Sequence, residues 1–386
     1  MIPRAITPTM IRQFQQFPIL TLTGTRQSGK TTLIREQFPQ YDYVSLENPD
    51  AQSLAVNDPL TFLARYNNHA IFDEAQRVPQ LFSYLQGIVD ERGQEPGQFI
   101  LSGSQNFLLM QGISQSLAGR ASVLHLMPLS HSELANADMG MDMWVRRGGY
   151  PRIYDIGLDP IDYFPNYVST YVERDVREEL GVRKLSQFRD FLVQCAVRVG
   201  EVVNYSAMAS ACGVNAKTVE EWISMLESSF IAFRLHPYHK NFGKRLIKAP
   251  KLYFYDTGLA SYLLDLESDD ELMMSKYRGP LFENAVVSEI MKAYAVRGRT
   301  PRLYYWRDDK QQEIDLIIEK GGAVRYAVEV KASATYDSHA FATISKLSEI
   351  MGLDLAQRIV VYGGRDSMET SFGRLLTIGD IPQLTL

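Results

Sequence analysis

Residues 24–31 read Gly24-Thr25-Arg26-Gln27-Ser28-Gly29-Lys30-Thr31. An apolar, β-branched run, Pro18-Ile19-Leu20-Thr21-Leu22-Thr23, stands before them. The helix-forming run Thr31-Thr32-Leu33-Ile34-Arg35-Glu36-Gln37 stands after them. Strand, glycine loop and helix in this order form a phosphate-binding loop. The glycines let the backbone wrap a phosphate, and the new helix aims its free N–H groups at it. Residues Gly24, Thr25, Arg26, Gln27, Ser28, Gly29, Lys30, Thr31 and Thr32 are therefore expected to hold a nucleoside triphosphate. Lys30 is expected to reach the β- and γ-phosphates, and Thr31 to hold Mg²⁺. A loop of this kind commits the first part of the chain to an α/β sheet.

A second apolar run, Ala70-Ile71-Phe72, ends in Asp73-Glu74. Asp73 is expected in the Mg²⁺ shell beside Thr31. Glu74 is expected to activate the water that attacks the γ-phosphate. The added carboxylate favours hydrolysis over nucleotide storage, so ATP and Mg²⁺ are the expected cofactors. A third run, Gln98-Phe99-Ile100-Leu101-Ser102-Gly103-Ser104-Gln105, also ends in polar residues. Ligands of open α/β sheets sit at the carboxyl ends of strands. Ser104 or Gln105 is thus placed to sense the γ-phosphate, although Ser102 and Ser104 also suit a turn. With Tyr41–Leu46 and Ala121–Met127 the expected sheet has five strands. The strand count, with an extra strand between the loop and the Asp-Glu strand, resembles the AAA+ and related STAND division of P-loop ATPases.

The chain has 386 residues, 45% of them hydrophobic, enough for two to four domains. It contains no apolar stretch long enough to span a membrane and no apolar signal core behind Met1-Ile2-Pro3-Arg4. Its two cysteines, Cys195 and Cys212, suit reduced core positions, and a cytoplasmic protein is expected. A formal charge of −5 argues against a broadly basic nucleic-acid binder but leaves room for a local basic face.

From Leu129 to about Leu185 the pattern turns helical and includes Gly148-Gly149-Tyr150-Pro151. That segment resembles the lid motif of STAND-type ATPases, and it also suits a helix-connecting turn. Arg120 and Arg174 are candidates to meet the γ-phosphate from their own subunit or a neighbour, where an arginine spreads transition-state charge. A nucleotide-dependent homo-oligomer is the expectation that goes with the second possibility.

The next unit reads as a winged helix. Residues 205–212 form a short helix, Gly213 a turn, and Asn215 caps a second helix through its side-chain oxygen. Ile231–Leu235 and Leu252–Tyr255 are the expected wing strands. The segment between them carries Arg234, Lys240, Lys244, Arg245, Lys248 and Lys251 with no acid among them. Interleaved Tyr238 and Phe242 complete a footprint suited to a phosphate backbone. Glu220 and Glu221 on the second helix oppose base reading in a groove, so Lys240, Lys244, Arg245, Lys248 and Lys251 are the expected DNA contacts.

The last third holds a further constellation. Glu283 stands near the start of an amphipathic helix, Asp315 near the start of a strand, and Glu329 and Lys331 share one face of another strand. Carboxylates Glu283, Asp315 and Glu329 are the residue types that bind a hard divalent cation through oxygen. Lys331 beside them suits a water-orienting role. The arrangement resembles the PD-(D/E)xK restriction-endonuclease-like fold.

Taken together, the phosphate loop, Phe72-Asp73-Glu74-Ala75-Gln76, Ser116-Leu117-Ala118-Gly119-Arg120, Gly148-Gly149-Tyr150-Pro151, Tyr171-Val172-Glu173-Arg174-Asp175, Lys248–Leu259 and Glu329-Val330-Lys331 resemble one family. These are the bacterial and archaeal AAA-type ATPases that carry a C-terminal DUF4143 domain. The resemblance implies an ATPase core over residues 1–130, a helical lid over 131–190, a winged helix over 191–265 and a nuclease-like α/β domain over 266–386. The resemblance implies little about physiology; the residues themselves lead to the expectation of an ATP-driven motor or remodeller of duplex or branched DNA, with a nuclease-like C-terminal domain that binds DNA and could cut it. The rival is a STAND-like ATP-dependent signalling switch with protein partners.

Overall fold

The computed structural model describes residues 2–67, 69–104, 106–135, 139–172, 185–238 and 248–385. Its contacts divide the chain into two units. The first comprises residues 1–128 with 228–230 and 295–299, and the second comprises 129–227, 231–294 and 300–386.

In the first unit five short strands follow one another: β1 (Ile19–Gly24), β2 (Asp42–Ser45), β3 (Ala70–Asp73), β4 (Phe99–Ser102) and β5 (Ala121–Leu126). All pair in parallel in the order β2-β3-β4-β1-β5. β4 thus lies between the glycine-loop strand β1 and the Asp-Glu strand β3. Parallel sheets need cover on both faces, which is why these strands read as continuous apolar runs. Alternation sends Ile19, Phe72, Phe99 and Leu101 to one core with Phe62, Phe82 and Leu85. Leu20, Ile71 and Ile100 go to the other core with Met10, Leu33 and Ile34. Because the strands are parallel, their carboxyl ends meet at one edge. The Gly24 loop, Asp73 and Ser102 all stand there.

The second unit begins with short helices, Met141–Arg147, Pro151–Asp155 and Pro160–Tyr167, and continues through Leu185–Val197, Tyr205–Cys212 and Ala216–Ser228. The last of these is capped by Asn215, whose Oδ1 accepts from the Thr218 N–H at 2.8 Å. β6 (Ala232–Pro237) and β7 (Lys251–Phe254) then form an antiparallel pair. These strands are not a free-standing ribbon. β6 pairs in parallel with β8 (Arg302–Arg307) through His236 and Pro237. It thereby extends a sheet built from β9 (Glu313–Lys320), β10 (Ala323–Lys331), β11 (Arg358–Tyr362), β12 (Met368–Glu369) and β13 (Arg374–Leu376). The order is β12-β13-β11-β10-β9-β8-β6-β7. β8, β9 and β10 are antiparallel neighbours, and β11 joins β10 in parallel after the helix Ala342–Met351. The helix Arg278–Val296 precedes β8 in the chain.

Both cysteines are buried and unbridged. No helix among the described residues is long and apolar enough to cross a membrane.

Candidate functional site

The loop after β1 is shaped by its glycines. A Cβ at Gly24 would stand 2.2 Å from the Leu126 carbonyl oxygen, and Gly29 has φ +90°, so neither position admits a side chain without strain. The helix Lys30–Gln37 starts at Gly29 with no side-chain cap, leaving its first N–H groups for a ligand. Thr25 Oγ1, Gln27 Oε1 and Ser28 Oγ are buried around the loop without a hydrogen-bond partner. Buried polar atoms in this state cost stability unless a ligand or water meets them. Arg4 clamps the loop from the N-terminus, donating to Ser28 O and Met127 O at 2.7 Å each.

Lys30 is 7% exposed, and its ammonium donates to the Thr25 and Gly24 carbonyls at 2.8 and 3.1 Å. Burial lowers its pKa from 10.5 to about 8, against the opposing pull of Glu74 and Asp73. A phosphate anion would reverse that penalty.

Asp73, at the end of β3, gathers four donors. Thr31 Oγ1 lies 2.8 Å and Tyr43 OH 2.9 Å from Oδ2, while Ser102 Oγ and, at 3.2 Å, the Glu74 N–H donate to Oδ1. Thr31 and Asp73 therefore converge on one point, and their oxygens suit the hard cation that accompanies a triphosphate. Tyr43 has its pKa raised by burial and by the Asp73 charge, which keeps it a donor. Glu74 stands beside them at φ +53°, an uncommon conformation for a side-chain-bearing residue. Its Oε2 accepts from Gln76 Nε2 at 2.5 Å and Ser104 Oγ at 3.2 Å. Gly103 makes room for Gln76, since a Cβ there would fall 2.1 Å from Gln76 Oε1.

Lys30, Thr31, Asp73, Glu74 and Ser104 are thus brought together at one edge of the sheet. Thr32 is exposed on the following helix, and Arg26 is half-buried in the loop. Gln105 and Arg174 lie outside the described residues. Arg120 does not meet this site within its own chain. It precedes β5, whose Ala121 pairs with Ile19 at the start of β1, whereas the loop follows Gly24 at its end. That separation is roughly 20 Å at a strand's rise per residue. Its guanidinium is instead engaged with both Asp90 oxygens at 2.7 Å. Sequence reasoning gave no role to Gln76, Tyr43, Ser102 or Arg4. Gln76 was within reach, two residues after Glu74. Nothing in the sequence marks Arg4.

In the second unit, Gly149 donates its N–H to the buried Asp256 carboxylate at 2.7 Å, which also accepts from Gly258 and Leu259. Asp256 therefore pins the Gly148–Pro151 segment to the helix Thr257–Leu263.

The expected basic face is smaller than the sequence implies. Lys251 is 2% exposed and paired with Glu283 at 3.1 Å and with Glu313, so it is not a DNA contact. Its place on β7 turns it into the interior, where an ammonium requires carboxylate partners. Arg234 is likewise committed to Glu227. Lys248 is exposed, and Lys240, Lys244 and Arg245 lie outside the described residues. Glu220 and Glu221 are exposed on the helix Ala216–Ser228.

Glu283, Asp315, Glu329 and Lys331 are drawn into one neighbourhood, but not as a cation cage. Glu283 accepts from Lys251 and, at 2.5 Å, from Tyr253 OH. Asp315 accepts from the Val330 N–H at 2.8 Å, and Glu329 from Lys331 at 2.8 Å. Burial, and then the neighbouring carboxylates, raise the Asp315 pKa, and burial raises that of Glu329 against the pull of Lys331. Among the described residues no group of three His, Cys, Asp or Glu side chains is arranged to hold a metal ion. The Glu283, Asp315 and Glu329 carboxylates expected to bind a cation thus each accept from a protein donor in this structure.

Family profiles match three stretches of the chain: an AAA domain over residues 16–135, a domain of unknown function (DUF8612) over 140–270, and a domain of unknown function (DUF4143) over 278–381. Two uncharacterized proteins, of Mycobacterium bovis and Mycobacterium tuberculosis, are each 31% identical over 387 residues, covering 97% of this chain and 84% of theirs. Among solved structures, AMPPCP-bound DnaA from Aquifex aeolicus aligns at 14% identity over 57% of this chain and 85% of its own, with a TM-score of 0.30. A STAND protein with a tetratricopeptide repeat sensor from Pyrococcus horikoshii aligns at 12% identity over 76% and 47%, with a TM-score of 0.24.

Proposed function

Because this chain belongs to the AAA-type P-loop ATPases with a C-terminal DUF4143 domain, we propose that it hydrolyses ATP with Mg²⁺ and uses the cycle to act on duplex or branched DNA. The observation that carries the ATPase reading is the convergence of Lys30, Thr31, Asp73, Glu74 and Ser104 at the carboxyl edge of the parallel sheet. In this reading Lys30 exchanges its loop carbonyls for the β- and γ-phosphates. Thr31 and Asp73 would hold Mg²⁺, which would supply charge neutralisation at the phosphates. Glu74 takes a proton from the attacking water, with Ser104 and Gln76 fixing its direction.

The DNA reading rests on the basic run Lys240, Lys244, Arg245 and Lys248, which excludes the buried Lys251 and the paired Arg234. Exposed Glu220 and Glu221 favour backbone binding over base reading. The capped helices ahead of β6 support a winged-helix reading of residues 191–265, whose strands β6 and β7 continue the sheet of the last part of the chain. The antiparallel β8-β9-β10 run with parallel β11 supports an endonuclease-like domain over 266–386. A core over 1–130 and a lid over 131–190 complete the division. An arginine from a neighbouring copy, Arg120 or Arg174, completes the ATPase site in a homo-oligomer.

Glu74→Gln tests the assignment. ATP binding should persist while turnover falls by roughly two to four decades, the scale expected for a positioned base. Wild-type turnover in that variant contradicts Glu74 as the water activator.

A further inference from the structure

The C-terminal carboxylates raise a charge problem that the fold has already solved. Glu283, Glu313, Asp315 and Glu329 come from a helix and two adjacent strands, and all are mostly buried. Four carboxylates in such a setting require cations, hydrogen-bond donors or protons. One cation is at the centre. The Lys251 side chain is 3% exposed, its Nζ lies 3.1 Å from Glu283 Oε1, and it also contacts Glu313. The Tyr305 ring centroid is 5.6 Å from the same nitrogen, so the ammonium has an aromatic face beside its carboxylates. Its backbone is held on both sides, by Leu235 of β6 and by a bridge to Val202.

We infer that Lys251 is the resident cation of this cluster, occupying the charge position a divalent metal would need, so that the C-terminal domain binds no Mg²⁺ or Mn²⁺ there. Three facts support it. Glu283 and Glu313 are committed to Lys251, Arg307 adds a guanidinium 3.2 Å from Glu313, and Lys331 neutralises Glu329. One oxygen of Asp315 is taken by the Val330 N–H. Glu329 Oε2 is buried without a partner. Among the described residues Glu283 Oε2 and Asp315 Oδ1 accept no hydrogen bond either, but the Lys251 ammonium already stands against Glu283 and Glu313, and a divalent cation placed among the same carboxylates would meet its like charge. In this state the cluster supports no metal-dependent phosphodiester cleavage. The inference is independent of the ATPase reading, because its test contains no nucleotide.

The test is a Mn²⁺ titration of the full chain, nucleotide-free, followed by the electron paramagnetic resonance signal of free Mn²⁺. Wild type and Asp315→Asn should bind the same amount, since any ion at Thr31 and Asp73 is common to both. Lys251→Met, confirmed folded by circular dichroism, should bind one additional Mn²⁺, and Lys251→Met with Asp315→Asn should lose it. Wild type binding a Mn²⁺ that Asp315→Asn loses overturns the inference. So does a folded Lys251→Met chain that binds no more than wild type. If Lys251→Met does not fold, the wild-type and Asp315→Asn pair decides alone.

Discussion

ATP binding should draw a proton onto Lys30. In the nucleotide-free protein this ammonium is buried against the Gly24 and Thr25 carbonyls with a pKa of about 8. At 1.36 kcal/mol for each factor of ten, the fall from 10.5 is a cost of about 3 kcal/mol for keeping the group charged at neutral pH. The sign follows from linkage. Between pH 8 and 10.5 the unfolded chain binds more protons at this residue than the folded chain, so nucleotide-free stability rises across that window and carries the full penalty below it. The β- and γ-phosphates add negative charge beside the nitrogen and restore the protonated form. Net uptake per ATP bound should then be about 0.5 proton at pH 8 and about 0.9 at pH 9, the deprotonated fractions for a pKa of about 8. Above pH 8 affinity should weaken by up to tenfold per pH unit, and Lys30 should leave it flat well below. Isothermal titration calorimetry in buffers of different ionisation enthalpy measures the uptake directly, above the last phosphate ionisation of ATP itself. Uptake near zero at both pH values would refute the account of Lys30 as a desolvated ammonium waiting for phosphate.

Two further outcomes are expected. Gln76→Ala removes the donor 2.5 Å from Glu74, and kcat should fall by about tenfold to a hundredfold with little change in KM, as for a positioning residue; steady-state kinetics decide it. Neutralising Lys244, Arg245 and Lys248 together should weaken DNA binding uniformly across sequences. It should also flatten the log–log salt dependence by about one unit for each phosphate that no longer meets a cation, measured by fluorescence anisotropy.

The α/β class and the family are legible in the sequence because their determinants are local. Gly24, Gly29, Lys30 and Thr31 lie in one loop, and Asp73-Glu74 end one apolar run. The parallel register does the rest, since it brings the ends of β1, β3 and β4 to a common edge. What local pattern conceals is pairing at a distance. Lys251 stands in a run of basic residues and reads as one more surface charge. Its burial is decided by Glu283 and Glu313, 32 and 62 residues further on. Arg120 reads as a candidate for the γ-phosphate, yet the parallel pairing of β5 with β1 puts it at the wrong end of the sheet for its own loop. The three carboxylates of the C-terminal domain have the residue types of a metal site. Chain position does not reveal that Glu283 pairs with Lys251, Glu329 with Lys331, and Asp315 with the Val330 N–H. Tyr43 belongs to the site through a hydrogen bond that only the pairing of β2 with β3 creates, whereas Gln76 reaches Glu74 from two residues away.

The central claim is that ATP turnover at the Lys30 loop is coupled to DNA. The measurement is the steady-state rate of ATP hydrolysis by the full chain with Mg²⁺, in the presence and absence of duplex and four-way-junction DNA, over a series of salt concentrations. The account predicts measurable turnover that DNA raises several-fold at low salt, with the stimulation disappearing as salt screens the basic segment. Turnover indifferent to either DNA at low salt would contradict it.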